Sequence, residues 1–182
     1  MGEQHKKHNR REHLNDFHLN VAGEYVYDGA LYACQSDDAK QHRIKRAVLG
    51  MAAILIVAVI AGGCIPAPGM QNCFYVLLPY LGEFLGAASV IWALAKLGMD
   101  WGTVREYNYK KSVAVLPVRT AVFSLLGVVC ELIFFFVNDH AGQTFFALLY
   151  VLLKLTALLS ALVLRAEIMQ AEWDKLPKKD NF

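Results

Sequence analysis

Charge is missing from long parts of this 182-residue chain. No Asp, Glu, Lys or Arg occurs between Arg46 and Glu83, and two further apolar stretches, 120–138 and 141–164, hold one charged residue each. A soluble domain of this length would interrupt its apolar pattern with charges far more often. About 20 apolar residues are enough to cross a hydrocarbon core of about 30 Å as a helix. The missing charge therefore argues against a soluble globular protein.

These stretches also lack the alternation of polar and apolar residues that membrane β-barrels require, which leaves helices as the spanning elements. The first stretch is too long for one helix, and Pro66, Pro68 and Gly69 in its middle predict a turn. We therefore predict an all-α integral membrane protein with a four-helix transmembrane bundle. The predicted spans are Ala47–Ile65, Phe74–Leu97, Val118–Val137 and Thr144–Arg165.

Lys and Arg are absent from two of the predicted loops, 66–73 and 138–143, although eight of them precede the first span. Because short basic loops stay in the cytoplasm, we expect both termini and the central loop on the cytoplasmic side of a plasma or inner membrane. Residues 1–46 then form a cytoplasmic module, 47–165 the membrane domain and 166–182 a cytoplasmic helical tail. The net charge of +2 conceals a basic cytoplasmic face, which suits anionic lipid headgroups and does not indicate nucleic-acid binding.

The N-terminal module is predicted to contain a small β-hairpin over Glu24–Ala33. Its Asp28-Gly29 pair stands between two short aromatic and β-branched runs, which is a strong local hairpin pattern. An isolated hairpin is marginal in water, so we expect it to pack on the central loop, the headgroups or a partner protein. Ser36 is expected to cap a helix that continues unbroken into the first span.

Two more cytoplasmic helices are predicted. Thr103 and Glu106 have the spacing of a capping box, which predicts a short helix over Val104–Val115 that stops before Pro117. The chain after the fourth span is expected to remain helical past Trp173.

Cysteine is scarce, with four residues and no Cys-x-x-Cys motif, which argues against a thiol-oxidising membrane enzyme. Cys64 and Cys73 bracket the first outer loop, where they could form a disulfide; the alternative is that each is a small apolar helix residue. We expect no metal and no other cofactor, because the N-terminal histidines do not have the spacing of a structural metal site. They are His5, His8, His13 and His18.

Glu83, Glu131 and Lys154 are the exceptions to the apolar spans, where one charge costs about 2.5–3.5 kcal/mol on the insertion scale. Small neighbouring residues mark helix faces that contact other helices. We therefore predict that all three charges face the bundle interior, with Glu83 paired to Lys154 and Glu131 nearby. The polar and small residues that share these faces are Tyr80, Gly86, Ser124, Gly127, Tyr150 and Ala157.

Two interpretations of this charged trio remain open: an ion pair that only fixes helix register, or a proton or cation relay. No nucleophile–base pair is visible, so we expect no catalytic residues. The sequence favours a non-enzymatic membrane subunit or scaffold that docks a partner through its cytoplasmic face. The alternative is a small oligomeric transporter or channel. The expected partners are the lipid bilayer and either further copies of the chain or another membrane protein, with no nucleic acid.

Overall fold

Four long helices dominate the computed structural model, which describes residues 17–19, 23–27, 29–66, 74–98, 101–137 and 144–176. Each of the four is long and apolar enough to cross a membrane. The helices are α1 Asp38–Cys64, α2 Phe74–Leu97, the short α3 Glu106–Lys111, α4 Leu116–Val137 and α5 Thr144–Met169.

The long helices pack as a bundle in which α1 lies against α5 and α2, and α4 lies against α2 and α5. Each contributes a narrow buried stripe, while Leu, Val and Phe side chains cover its outer face. A water-soluble bundle would place polar side chains on that outer face. An apolar outer face is the pattern expected of helices that are surrounded by hydrocarbon or by other apolar protein surfaces. Examples of its exposed side chains are Val57, Leu85, Leu125, Phe136, Leu148 and Leu159.

Helix α1 begins near the predicted place and continues without a break from Asp38 to Cys64, as the sequence predicted. Its N-cap is Asp37 and not Ser36, and no side-chain hydrogen bond caps it. The prediction for Ser36 is therefore wrong by one residue. The carboxylate of Asp38 lies in the first turn, where it interacts favourably with the helix dipole.

The predicted hairpin over Glu24–Ala33 is wrong, because its two halves lie in different sheets. Strand β1 (Phe17–Leu19) pairs antiparallel with β2 (Tyr25–Tyr27). Strand β3 (Leu31–Cys34) is the middle strand of a second sheet. Three paired strands satisfy more backbone groups than an isolated two-stranded ribbon does. Asp28 of the predicted turn lies outside the described residues.

The partners of β3 are β4 (Thr103–Arg105) and β5 (Trp173–Lys175), both antiparallel to it. Two predicted helices are corrected by this sheet, since Val104 and Trp173 lie in strands. Helix α3 therefore begins only at Glu106. Pro117 lies in the first turn of α4, where a missing N–H has no helical carbonyl to bond in any case.

We call the β4–β3–β5 sheet, together with α3, the sheet cap. Tyr32 of β3 stacks on Tyr109 of α3 with ring centroids 4.1 Å apart, and Trp173 lies 5.9 Å from the Tyr109 ring. Trp101 and Val104 are buried in one core cluster with residues of all four long helices. The sheet cap therefore packs onto one end of the bundle. The helix residues of this cluster include Ile44, Leu97, Leu116, Leu164 and Ile168.

An ion pair lies on the outer side of the sheet cap, where Lys110 donates to Glu106 across 2.6 Å. This hydrogen bond holds the pKa of Glu106 below its usual range. The pair therefore stabilises the fold above the pKa of an unfolded Glu, and that contribution is lost as the pH falls through the lowered value. Such exposed pairs contribute little, about 0–1 kcal/mol.

Candidate functional site

Glu83 of α2 and Lys154 of α5 form an ion pair in the middle of the bundle, with the Lys154 ammonium donating to Oε2 of Glu83. The two residues are 1% and 3% exposed. Burying two charges is costly, and their attraction offsets that cost only when the geometry is good and further partners are present. The surroundings of the ammonium supply such partners.

Two tyrosine rings flank the ammonium of Lys154. Its Nζ lies 4.7 Å from the ring centroid of Tyr80 and 5.1 Å from that of Tyr150. A cation near an aromatic face is attracted by the ring quadrupole, and more strongly so when water is excluded. The tyrosines therefore hold the ammonium from two sides while Glu83 accepts its hydrogen bond.

Tyr80 is itself anchored to α1, because its hydroxyl donates to the carbonyl oxygen of Val59 across 3.0 Å. This contact requires a residue without a side chain at position 63, since a Cβ on Gly63 would overlap the Tyr80 hydroxyl. A Cβ on Gly62 would lie 3.8 Å from Cε of Lys154. Gly63 therefore lets α1 approach Tyr80, whereas a side chain at Gly62 would meet the lysine stem only at an ordinary van der Waals distance.

Tyr150 closes another side of the pair. Its side chain is fully buried, and its ring centroid lies 4.6 Å from that of Phe134. Its hydroxyl lies 3.4 Å from the buried thiol of Cys130, within hydrogen-bonding distance for sulfur. The tyrosine hydroxyl is thus occupied by α4 while its ring faces the lysine.

Glu131, on α4, is different. Both of its carboxylate oxygens are buried, and neither has a hydrogen-bond partner among the residues that the structure describes. A buried polar group without a hydrogen bond destabilises the state that contains it by about 1–3 kcal/mol, and more when it is charged. The carboxylate of Glu131 is therefore a strong acceptor that the described part of the chain leaves without a donor.

All three charged residues line one groove of about 370 Å³ between α4 and α5, which we call the α4–α5 groove. Its floor includes the Glu83–Lys154 pair, and its rim consists of apolar side chains that are largely exposed on the outside of the bundle. The groove therefore opens sideways onto the apolar surface. Its other lining residues are Phe123, Gly127, Val128, Leu132, Phe135, Val151, Leu155 and Leu158.

Small residues shape the walls of this region. A Cβ on Gly127 would lie 3.6 Å from Oε1 of Glu83, so the glycine lies in direct contact distance of that carboxylate. A Cβ on Gly86 would lie 3.4 Å from Cα of Phe123, which marks a close approach of α2 and α4. Ala157 is fully buried. Oγ of Ser124 is buried with no hydrogen-bond partner within the described residues.

The structure thus brings Glu83, Lys154, Tyr80 and Tyr150 together and places Glu131 beside them on the groove. Sequence reasoning missed Gly63 and Cys130, although the Gly62-Gly63 pair in the first span was a usable indication of a close helix contact.

Two further predictions concern the Cys64–Cys73 disulfide and metal binding. Cys64 is an exposed free thiol at the end of α1, and Cys73 lies outside the described residues, so their disulfide stays a prediction. The described ranges contain no group of three or more His, Cys, Asp or Glu side chains arranged to hold a metal. Comparison of the chain with protein-family models, curated proteins and solved structures finds no match, so the function is argued from the site geometry alone.

Proposed function

We propose that this chain is a four-span, non-enzymatic membrane subunit whose termini lie in the cytoplasm and whose α4–α5 groove binds another membrane component. The observation that carries the proposal is a sideways groove with an apolar rim and a buried carboxylate that has no hydrogen-bond partner among the described residues. In a bilayer, the neighbours on that side are lipid tails and other proteins. Lipid tails offer no hydrogen-bond donor to Glu131, whereas a protein does.

The burial of the Glu83–Lys154 pair supports a subunit more than a carrier. Both side chains are almost completely enclosed, and the groove that reaches them leads to the apolar surface of the bundle. A pair enclosed in this way fixes which helices neighbour each other. We therefore assign the pair to the architecture of the bundle and Glu131 to recognition.

The sheet cap offers less support for docking than the sequence suggested. Both edges of β3 are already paired within the chain, by β4 and β5. The outer strands carry exposed charged residues, among them Arg105, Asp174 and Lys175. Charges on edge strands discourage the addition of a further strand. We therefore locate partner binding at the groove.

The proposed topology gives the first testable prediction. Single cysteines at Gln71 and Gly142, in a chain whose native cysteines are replaced, should react with a membrane-impermeant thiol reagent in intact cells. A cysteine at Lys110 should react only after the membrane is permeabilised, because the basic central loop is assigned to the cytoplasm. Labelling of the Lys110 variant in intact cells would contradict the topology.

The groove gives the second prediction. Leu132 lies on the groove rim and is 52% exposed, whereas Leu85 lies on the outer face of α2 and is 67% exposed. After purification in a mild detergent, native mass spectrometry should show the wild-type chain in a complex. Leu132→Trp should lose most of that complex, because the larger ring fills the groove. The matched Leu85→Trp variant should retain it.

Three results of this experiment would count against the proposal. A wild-type chain that emerges alone, and that also resists cross-linking in intact membranes, has no stable partner. Equal loss of the complex in both variants would mean that the whole apolar surface matters. Full retention by Leu132→Trp would place the partner elsewhere.

A second candidate function, a small oligomeric transporter or channel for protons or cations, is supported by one observation. Glu83, Glu131 and Lys154 all line the same groove, so a charge entering it would meet all three groups. Flux of protons or monovalent cations into vesicles containing the purified chain, abolished by Glu131→Gln, would favour this candidate over the subunit.

A further inference from the structure

We propose that the occupant of the α4–α5 groove is a transmembrane helix of a different membrane protein, which presents one Lys or Arg side chain to Glu131. The inference rests on the proposed function and deepens it by naming the chemistry of the partner. Three observations carry it: the balance of charges around the groove, the shape of the groove, and the lack of a second basic residue deep inside the predicted spans.

Among the charged side chains that line the groove, one carboxylate has no cation to pair with. The groove contains two carboxylates and one ammonium, and that ammonium donates to Glu83 between two tyrosine rings. Glu131 has both oxygens buried and no donor from the described residues. Charges inside a membrane are almost always paired with each other. A basic side chain from outside would complete a second pair, with charge-assisted hydrogen bonds to the carboxylate.

The shape of the groove fits the side chains of a third helix. Its α4 wall runs from Phe123 to Phe135, which is about 18 Å at about 1.5 Å per residue. Gly127, Glu131 and Phe135 lie along one row with a spacing of four residues. Such rows and the grooves between them are what neighbouring helices interdigitate with. The glycine makes a dip in the row, one turn from the carboxylate.

A second copy of this chain cannot supply the missing cation at that depth. Lys154 is the one basic residue that lies more than two positions inside a predicted span, and it is already paired. Arg119 lies near the start of α4, far from Glu131, and donates to the carbonyl oxygen of Ser89 across 2.6 Å. Oligomers of this chain alone would leave Glu131 without a cation, so we assign the groove to another protein.

The position of the basic residue in the partner follows from the depth of Glu131. The carboxylate is on the residue six positions before the last residue of α4, Val137. At about 1.5 Å per residue, this places it about 9 Å from the outer end of the helix. The partner helix should therefore carry its Lys or Arg at a similar distance from its own outer end.

A designed peptide tests the proposal without knowledge of the natural partner. The probe is a fluorescent leucine-rich transmembrane peptide with one Lys six residues from its outer end, and the matched peptide has Leu there. Binding to the labelled full-length chain in phosphatidylcholine vesicles is measured by energy transfer. We expect the Lys peptide to bind at least tenfold more tightly than the Leu peptide. Glu131→Gln should reduce this preference to less than twofold, and Glu131→Asp should preserve most of it.

Several outcomes would overturn the proposal. Equal binding of the two peptides to the wild-type chain is one, and a Lys preference that survives Glu131→Gln is another. If dodecylamine binds in a Glu131-dependent way and the Lys peptide shows no preference, the groove is a site for small lipophilic cations. If Leu132→Trp removes a natural complex and neither peptide is preferred, this inference fails while the proposed function stands. If the wild-type chain forms no complex at all, the result contradicts the proposed function itself.

Discussion

Lys154→Met alone should lower the thermal stability of the purified protein sharply, because it leaves the carboxylate of Glu83 buried without its cation. In soluble proteins, removing one partner of a buried pair costs about 3–5 kcal/mol. Glu83→Gln should destabilise less, since the amide oxygen still accepts from the ammonium and the two tyrosine rings remain. Thermal unfolding followed by tryptophan fluorescence measures both effects. Lys40→Met, at an exposed position near the start of α1, is the control and should change little.

The double variant Glu83→Gln/Lys154→Met should recover much of the lost stability, because no single charge then remains at this position. Absence of recovery would mean that the two residues are not energetic partners. Recovery with the native complex intact would identify the pair as a device that fixes helix register. Recovery of stability accompanied by loss of ion flux that the wild-type chain shows would favour the transporter.

Gly63→Ala should also lower the thermal stability of the protein, by an amount second only to that of Lys154→Met. The added methyl group would overlap the Tyr80 hydroxyl and displace it from the carbonyl oxygen of Val59. The displaced ring also lies beside the Lys154 ammonium, so both contacts suffer. Loss of this partly buried hydrogen bond costs about 1–3 kcal/mol. Alanine favours the helical backbone by about 0.5–1 kcal/mol over glycine, and so offsets only part of the loss.

Gly50 provides a matched control for this change, because a Cβ there would meet no atom within 4 Å. Gly50→Ala should therefore leave thermal stability unchanged or raise it slightly. Tyr80→Phe removes the same hydrogen bond without adding a methyl group. The double variant Gly63→Ala/Tyr80→Phe should then cost less than the two single changes added together, since they act on one contact. Strict additivity would show that the glycine and the tyrosine are not coupled.

The four long helices could be predicted from the sequence because hydrophobicity alone determines them. The predicted bounds Phe74–Leu97 match α2, and the Thr144 start matches α5. The small residues around Glu83 and Lys154 indicated the faces of these two side chains, and the structure pairs them. These features depend on residues close together along the chain.

The strands could not be predicted in the same way, because their partners are distant. The Asp28-Gly29 pattern expresses only a local preference for a turn. The chain instead forms a three-stranded ladder in which Tyr32 aligns with both Val104 and Lys175. No local pattern encodes that alignment. The α4–α5 groove was missed for a related reason: its width depends on how the two helices cross, which no single span determines. Hence Glu131 was expected among the interior residues, although it faces an open groove.

The position of β3 between two distant segments has a consequence for synthesis of the chain. Cys34 aligns with Trp173, so the second edge of β3 stays uncovered until residues 173–175 have left the ribosome. During translation, β3 has only the edge provided by β4 covered once the central loop has emerged. A product that stops before Trp173 would keep every long helix and still expose an unpaired strand edge, which is a template for aggregation.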